Sequence, residues 1–171
     1  MRRVSALDVA LFAALLATAL ALGPAMAHVL ELPNKIGLAR DEYFVVQKAY
    51  RGWSLLGWLL AVELIAMAVA ATLARHDGRV MWPVLVAIAC LLGGQGVFWL
   101  FTYPANVATD NWTLQPDNWM ALRRQWEYSH AAGAALQVVA MASLIVAALA
   151  RSRPAGSPAP AEQWSPADRS R

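Results

Sequence analysis

Four blocks of almost unbroken apolar residues dominate the chain. Val9 to Leu32 is interrupted by Thr18, Gly23, Pro24, His28 and Glu31; Trp53 to Ala74 carries Glu63, Trp82 to Tyr103 carries Gln95, and His130 to Ala150 carries Gln137. Each block runs 21–24 residues, enough at ~1.5 Å per residue to cross a hydrocarbon layer about 30 Å thick. In lipid such segments must be helical, because their backbone groups find no water. The pattern predicts an all-α fold: an integral membrane four-helix bundle with spans at 9–32, 53–74, 82–103 and 130–150 and two longer outer loops, 33–52 and 104–129. Residues 1–150 form the transmembrane domain. Residues 151–171, rich in Pro, Ala and Ser, read as a disordered cytoplasmic tail.

Composition agrees. Hydrophobic residues make up 59% and charged residues 15%, against about 25% charged in soluble domains. The net charge of +3 is not a nucleic-acid signal. Arg2, Arg3, Arg75, Arg79, Arg151 and Arg153 sit beside the apolar blocks, and no basic stripe interleaves with aromatics. The expected partner is the lipid bilayer. The proposed inner segments hold eight Lys/Arg in 36 residues and the outer loops six in 46. That density puts both termini in the cytoplasm of a multi-pass bacterial inner-membrane protein. The first block also reads as a signal peptide, with Arg2-Arg3 ahead of it and Ala25-Met26-Ala27 as a cleavage site. Its apolar run continues through Leu32, which favours a retained span. The lone Cys90 forms no intrachain disulfide and reads as a small core side chain.

Polar residues inside a membrane are costly and point to function. Here they share a depth: His28, Glu63, Gln95 and Gln137 all fall within ~15 Å of the outer surface. Gln95, Trp99, Thr102 and Asn106 form one helical stripe if the third helix runs past Pro104. Arg123, Trp126, His130, Gly133 and Gln137 form another if the fourth begins near Asp117-Asn118. The structural reading of both stripes is an ordinary helix-packing face. His28 to Glu31 is an H-x-x-E pair and Glu127 to His130 an E-x-x-H pair. Each spacing puts imidazole and carboxylate on one helical face. If the pairs converge, with Asn34 and Asn106 around them, two imidazoles and two carboxylates suit an iron, zinc or copper ion, His28 and His130 being the ligands. A haem between the two imidazoles is the other cofactor reading. Against both stands the plain reading of Glu31–Lys35 and Glu127 with Arg123 or Arg124 as helix-surface ion pairs. Glu63, near mid-membrane, is expected to be protonated or bonded to Gln95 or a loop cation. Most of the eight Trp fit an interfacial belt, but Trp112, Trp119 and Trp126 also suit a roof over a flat apolar ligand.

Several of these residues resemble a known family. Ala27-His28 through Glu31-Leu32-Pro33-Asn34-Lys35, Tyr50-Arg51-Gly52-Trp53, Phe98-Trp99 through Pro104-Ala105-Asn106, Asn111-Trp112, Pro116-Asp117-Asn118-Trp119 and the run Leu122-Arg123-Arg124-Gln125-Trp126-Glu127-Tyr128-Ser129-His130 look like the anthrone-oxygenase-like family of small four-helix membrane proteins. Most members of that family have no known function, and the likeness covers about residues 9–150. It implies four helices and a retained first helix. It also implies oxidation of a polycyclic phenolic substrate, an activity assigned to a few relatives.

Two functions follow as expectations. One is a membrane oxidoreductase or oxygenase acting on an apolar or polycyclic substrate at the outer end of the bundle. His28, His130, Glu127 and Glu31 would be catalytic there, and Trp99, Asn106, Trp119, Arg123, Trp126 and Asn34 would bind the substrate. The other is a non-catalytic ligand-binding or accessory membrane protein in which the intramembrane polar residues Glu63, Gln95 and Gln137 hold helices together. A transporter is disfavoured, because no such residue lies in the inner half.

Overall fold

The computed structural model describes residues 3–152. The expected tail beyond Ser152, with Arg153, and the N-terminal Arg2 lie outside them. Six α-helices form, with no strand among the described residues: α1 (Ala6–Lys35), α2 (Arg40–Gln47), α3 (Leu56–Leu73), α4 (Gly78–Val97), α5 (Tyr103–Ala108) and α6 (Trp119–Ser152). Short 3-10 turns at Lys48–Tyr50 and Trp53–Leu55 lead into α3, and a widened π turn at Phe98–Thr102 joins α4 to α5.

Local chemistry explains the ends. Ser5 and Asp8 form a reciprocal capping box on α1: the Asp8 amide donates to Ser5 Oγ at 3.3 Å and the Ser5 amide to Asp8 Oδ2 at 2.9 Å. Asp77 accepts from the Arg79 amide at 3.2 Å and starts α4. Gly52 has φ +88°, a left-handed turn open to glycine at no steric cost. Asp110, Asn111 and Trp112 also have positive φ, at 45°, 52° and 66°, where a side chain costs roughly 1–2 kcal/mol per residue. Thr109 holds this turn: its hydroxyl donates to the Ala105 carbonyl at 2.7 Å and accepts from the Trp112 amide at 3.1 Å.

Four helical stretches are long and apolar enough to cross a membrane: Ala6–Lys35, Trp53–Leu73, Gly78–Ala108 and Trp119–Ser152. Three of them exceed the apolar blocks, because polar turns continue the helices, and the second ends one residue short of its block. α1 passes Pro33 by two residues, and the third stretch passes Pro104, which follows directly on the widened π turn at Phe98–Thr102, where the helix accommodates its ring and missing N–H. The outer loops are accordingly shorter than the sequence implied. Residues 33–52 contain α2, and 104–129 shrinks to a connection over 109–118 because α6 begins at Trp119.

α1 packs on α3 and α6, and α4 packs on α6 and α3. The half carrying the N-terminus is dense and built from small residues. Ala14, Ala66, Ala70, Ala87, Ala140 and Ala147 are buried around Met67, Val84 and Leu144, which lets backbones approach closely. Arg151 Nε, 3.3 Å from Asp8 Oδ1, ties the end of α6 to the start of α1. The other half is aromatic: Tyr43, Phe44, Trp112, Trp119 and Trp126 form a second buried cluster.

Candidate functional site

α1 delivers His28, Glu31 and Lys35 to the aromatic end. Antiparallel to it, α6 delivers Trp126, Glu127 and His130. The spacings of three and four keep each set on one helical face. The His28 and His130 rings lie 4.2 Å apart between centroids, and Trp126 lies 5.0 Å from His28 and 4.0 Å from His130. Tyr50 and Trp53 complete the surround of His28 at 4.6 and 5.3 Å. His130 Nδ1 is 2.8 Å from the Trp126 carbonyl oxygen, which only accepts. In the neutral ring this fixes the proton on Nδ1 and leaves Nε2 as the basic atom.

The carboxylates turn away from the imidazoles. Both face Lys35, whose Nζ lies 3.3 Å from Glu31 Oε2, 3.3 Å from Glu127 Oε1 and 2.6 Å from the Tyr50 hydroxyl. The Lys35 side chain is 4% exposed and that of Glu127 fully buried. Tyr43 donates to Glu127 Oε1 at 2.9 Å, Gln47 donates to the Tyr43 hydroxyl, and Tyr50 donates to Glu31. Burial pushes both phenols above the ordinary tyrosine range. For Tyr43 the Glu127 charge adds to this, and for Tyr50 the hydrogen bond to Glu31 does. The ion pair within α1 is thus Glu31–Lys35. Glu127 reaches across to α1 rather than to Arg123 or Arg124, because Arg123 donates to the Leu38 carbonyl at 2.7 Å and stacks on Trp119 and Tyr43.

A cavity of about 1110 Å³ opens beside the imidazole pair. His28, His130, Tyr50, Trp53, Trp126 and Trp99 line it, with Gln95, Gln137, Thr102, Ser129 and Asn106 as its polar wall. Thr102 and Ser129 hydrogen-bond at 2.7 Å, and the Trp126 indole donates to Asn106 Oδ1 at 2.8 Å. Three buried polar atoms of lining residues have no hydrogen-bond partner: His28 Nδ1, Trp112 Nε1 and Gln47 Oε1.

Other expected site residues lie elsewhere. Trp119 and Arg123 are buried but do not line the cavity, because Tyr43 and Phe44 of α2 pack against that part of α6. Asn34 is exposed on α1 and also outside the lining. Glu63 is fully buried and bonds neither Gln95 nor a loop cation. Thr18 Oγ1 and Gln137 Nε2 each donate to its Oε1 at 2.8 Å, since α1 and α6 bring their polar groups to its depth while Gln95 faces the cavity. The sequence reading missed Lys35 as the hub of this end, together with Tyr43, Gln47 and Tyr50. A lysine four residues after Glu31 reads as a surface partner until α2 and α6 are seen to cover it.

The donor set fits a metal poorly. Zinc sites take three or four protein ligands, whereas among the described residues no group of three or more His, Cys, Asp or Glu side chains is placed to hold an ion. Both carboxylates are committed to Lys35. A haem between the imidazoles is ruled out in this arrangement: two axial bonds of about 2 Å each, the iron–nitrogen analogue of metal–imidazole lengths, do not fit between rings whose centroids are 4.2 Å apart. No protein-family model, curated protein or solved structure matches the chain.

Proposed function

We propose that this chain is a multi-pass membrane protein that binds a flat apolar small molecule with a hydrogen-bonding edge, in the cavity beside His28 and His130. The observation that carries the reading is the cavity itself. It is of ligand size, lined by aromatic rings, and carries a polar wall that includes Gln95, Thr102, Asn106 and Ser129. Ligand sites are mostly apolar concavities with a few placed polar groups. The large apolar side chains exposed along the long helices, among them Phe12, Leu20, Ile65 and Leu100, support insertion in lipid. Arginine density supports a bacterial inner membrane with both termini in the cytoplasm. Retention of the first helix fits, since Ala21, Pro24, Ala25 and His28 line the cavity.

The test uses the full chain in lipid nanodiscs and 2-hydroxyanthracene as the probe, read by quenching of Trp fluorescence. The expected result is saturable quenching above that of protein-free discs. Gly133→Leu, which puts a side chain into the cavity, should weaken it by at least about tenfold, or 1.4 kcal/mol. Linear, unsaturable quenching in the wild type sinks the reading.

A second reading is favoured by the imidazole pair and by the resemblance to the anthrone-oxygenase-like family. Here the ligand is a polycyclic phenol that is oxidised, with dioxygen as electron acceptor. His130 Nε2 takes the phenolic proton as general base, His28 orients the edge, and Lys35 with Glu31 and Glu127 positions the two helix ends. Oxygen uptake dependent on the phenol, lost in His130→Ala while 2-hydroxyanthracene still binds, supports this reading. Binding without uptake leaves a non-catalytic ligand-binding protein.

A further inference from the structure

The cavity has two differently built rims. One is polar, where Lys48, Arg51, Asn111 and Gln115 are exposed at the end carrying α2 and the 109–118 connection. The other is apolar and lies between α3 and α4. There the lining residues Gly57 and Trp99 are exposed and Gly94 is half-buried, whereas Ala21 and His28 of α1 and Ser129 and Gln137 of α6 are buried and Pro24, Ala25, His130 and Gly133 half-buried. A Cβ at Gly57 or at Gly94 would meet nothing within 4 Å. The two helices are joined by the short turn at 74–77 and pack together around Leu60, Leu64, Ile88 and Leu91. Beyond Leu60 and Leu91 both face the cavity. Gly94 is the 17th of the 31 residues in the Gly78–Ala108 stretch and Gly57 the fifth of the 21 in Trp53–Leu73, so this rim lies within the apolar stretches, toward their outer end. Its outer neighbours Trp58, Val62, Leu92 and Leu100 are all more than half exposed.

We propose that the ligand enters sideways from the bilayer, through a portal between the first turn of α3 and residues 94–99 of α4. Its chemical class is thereby a membrane-partitioned molecule rather than a water-soluble one. The proposal rests on the binding reading above. A glycine at each side of the opening keeps it clear of side chains, and the apolar rim costs a lipid-dissolved molecule no desolvation. The polar rim serves water, not the ligand.

The test is kinetic, so that it separates entry from binding. 2-Hydroxyanthracene preloaded in the lipid of nanodiscs carrying the full chain is followed by relaxation of Trp quenching after a temperature jump, which over a range of ligand loadings reads both rates. Gly57→Phe and Gly94→Phe should slow association and dissociation together, by at least about tenfold, with Kd changed less than about threefold, as expected when a route is narrowed but the site is kept. Gln115→Trp, at the polar rim, should leave both rates unaltered. Two independent variants at open positions keep the test decisive if one fails to fold. Slowing by Gln115→Trp and not by the glycine variants overturns the portal in favour of aqueous entry. A weakened Kd with unchanged association also overturns it, because the glycines then belong to the site and not to a route. Absence of saturable binding in the wild type is a different result and removes the binding reading itself.

Discussion

Lys35→Met removes the hub of the polar cluster while keeping most of the apolar stem that packs between Tyr50 and Trp126, whose rings lie 4.6 and 5.3 Å from Nζ. Its cost follows from what the cation holds. Glu127 is fully buried, and losing the basic partner it has among the described residues leaves an uncompensated carboxylate, typically about 3–5 kcal/mol. Glu31 is 48% exposed, so its share is small, about 0–1 kcal/mol. Adding Glu127→Gln removes the stranded charge and keeps an oxygen to accept from Tyr43. The double variant should therefore regain stability, with a coupling of about 2–3 kcal/mol in the Lys35/Glu127 cycle. The assay is reversible unfolding in mixed micelles with increasing SDS, read by helical circular dichroism. If Lys35→Met costs less than about 1 kcal/mol, or if the double variant is as unstable as the sum of the singles, Glu127 is not held by Lys35 and the account of this end is wrong.

Glu63→Gln should fold normally, because the amide oxygen still accepts from Thr18 and Gln137, whereas Glu63→Lys should not, since a cation at a helix centre costs at least about 2.5–3.5 kcal/mol. Failure of Glu63→Gln to accumulate would show that the ionised carboxylate is needed. Alkaline phosphatase fused after Arg151 should be inactive, and activity there would place the C-terminus outside. Tyr43 and Tyr50 are held above the ordinary range in the folded chain. Their contribution is thus complete below the unfolded value of about 10 and is lost as pH rises past it. The double Tyr43→Phe, Tyr50→Phe variant should show a shallower loss of stability above that pH, and an unchanged slope would contradict the burial of both phenols.

The helical fold is legible because membrane-length apolar blocks allow little else. The pattern fails at helix ends, where the apolar signal stops but the helix does not. Trp119 to Ser129 continues α6 through a polar stretch, and hydropathy alone reads that as loop. At the site, periodicity brings out His28, Trp126 and His130, because each recurs on a face already marked by neighbours. It says nothing of how α2 folds back. The eight residues Arg40–Gln47 are too short to register as an element, yet they supply Tyr43 and Gln47 and separate Trp119 and Arg123 from the cavity. Glu63 is the opposite case. Its cost was visible in the sequence, but its partners depended on helix rotation, which selects Thr18 and Gln137 over Gln95.

Why a cavity of this size persists beside a densely packed half is itself readable from residue size. In the dense half Met67, Val84 and Leu144, all fully buried, fill the space between the alanine-rich helices. In the other half the cavity walls of α1 and α6 include Ala21, Ala25 and Gly133. Each glycine in a helix interior costs roughly 0.5–1 kcal/mol relative to Ala, and each also forgoes contacts that a larger side chain would make. A chain that keeps such positions small gives up stability for open space, a pattern expected at functional sites. Gly133 is the clearest case, since a Cβ there would meet nothing within 4 Å. Gly133→Ala should therefore raise stability by roughly 0.5–1 kcal/mol in the same SDS titration, and Gly133→Leu should do so while weakening 2-hydroxyanthracene binding. If both substitutions destabilise the chain, the space beside Gly133 is needed for packing, and the cavity is not a ligand site held open at the expense of the fold.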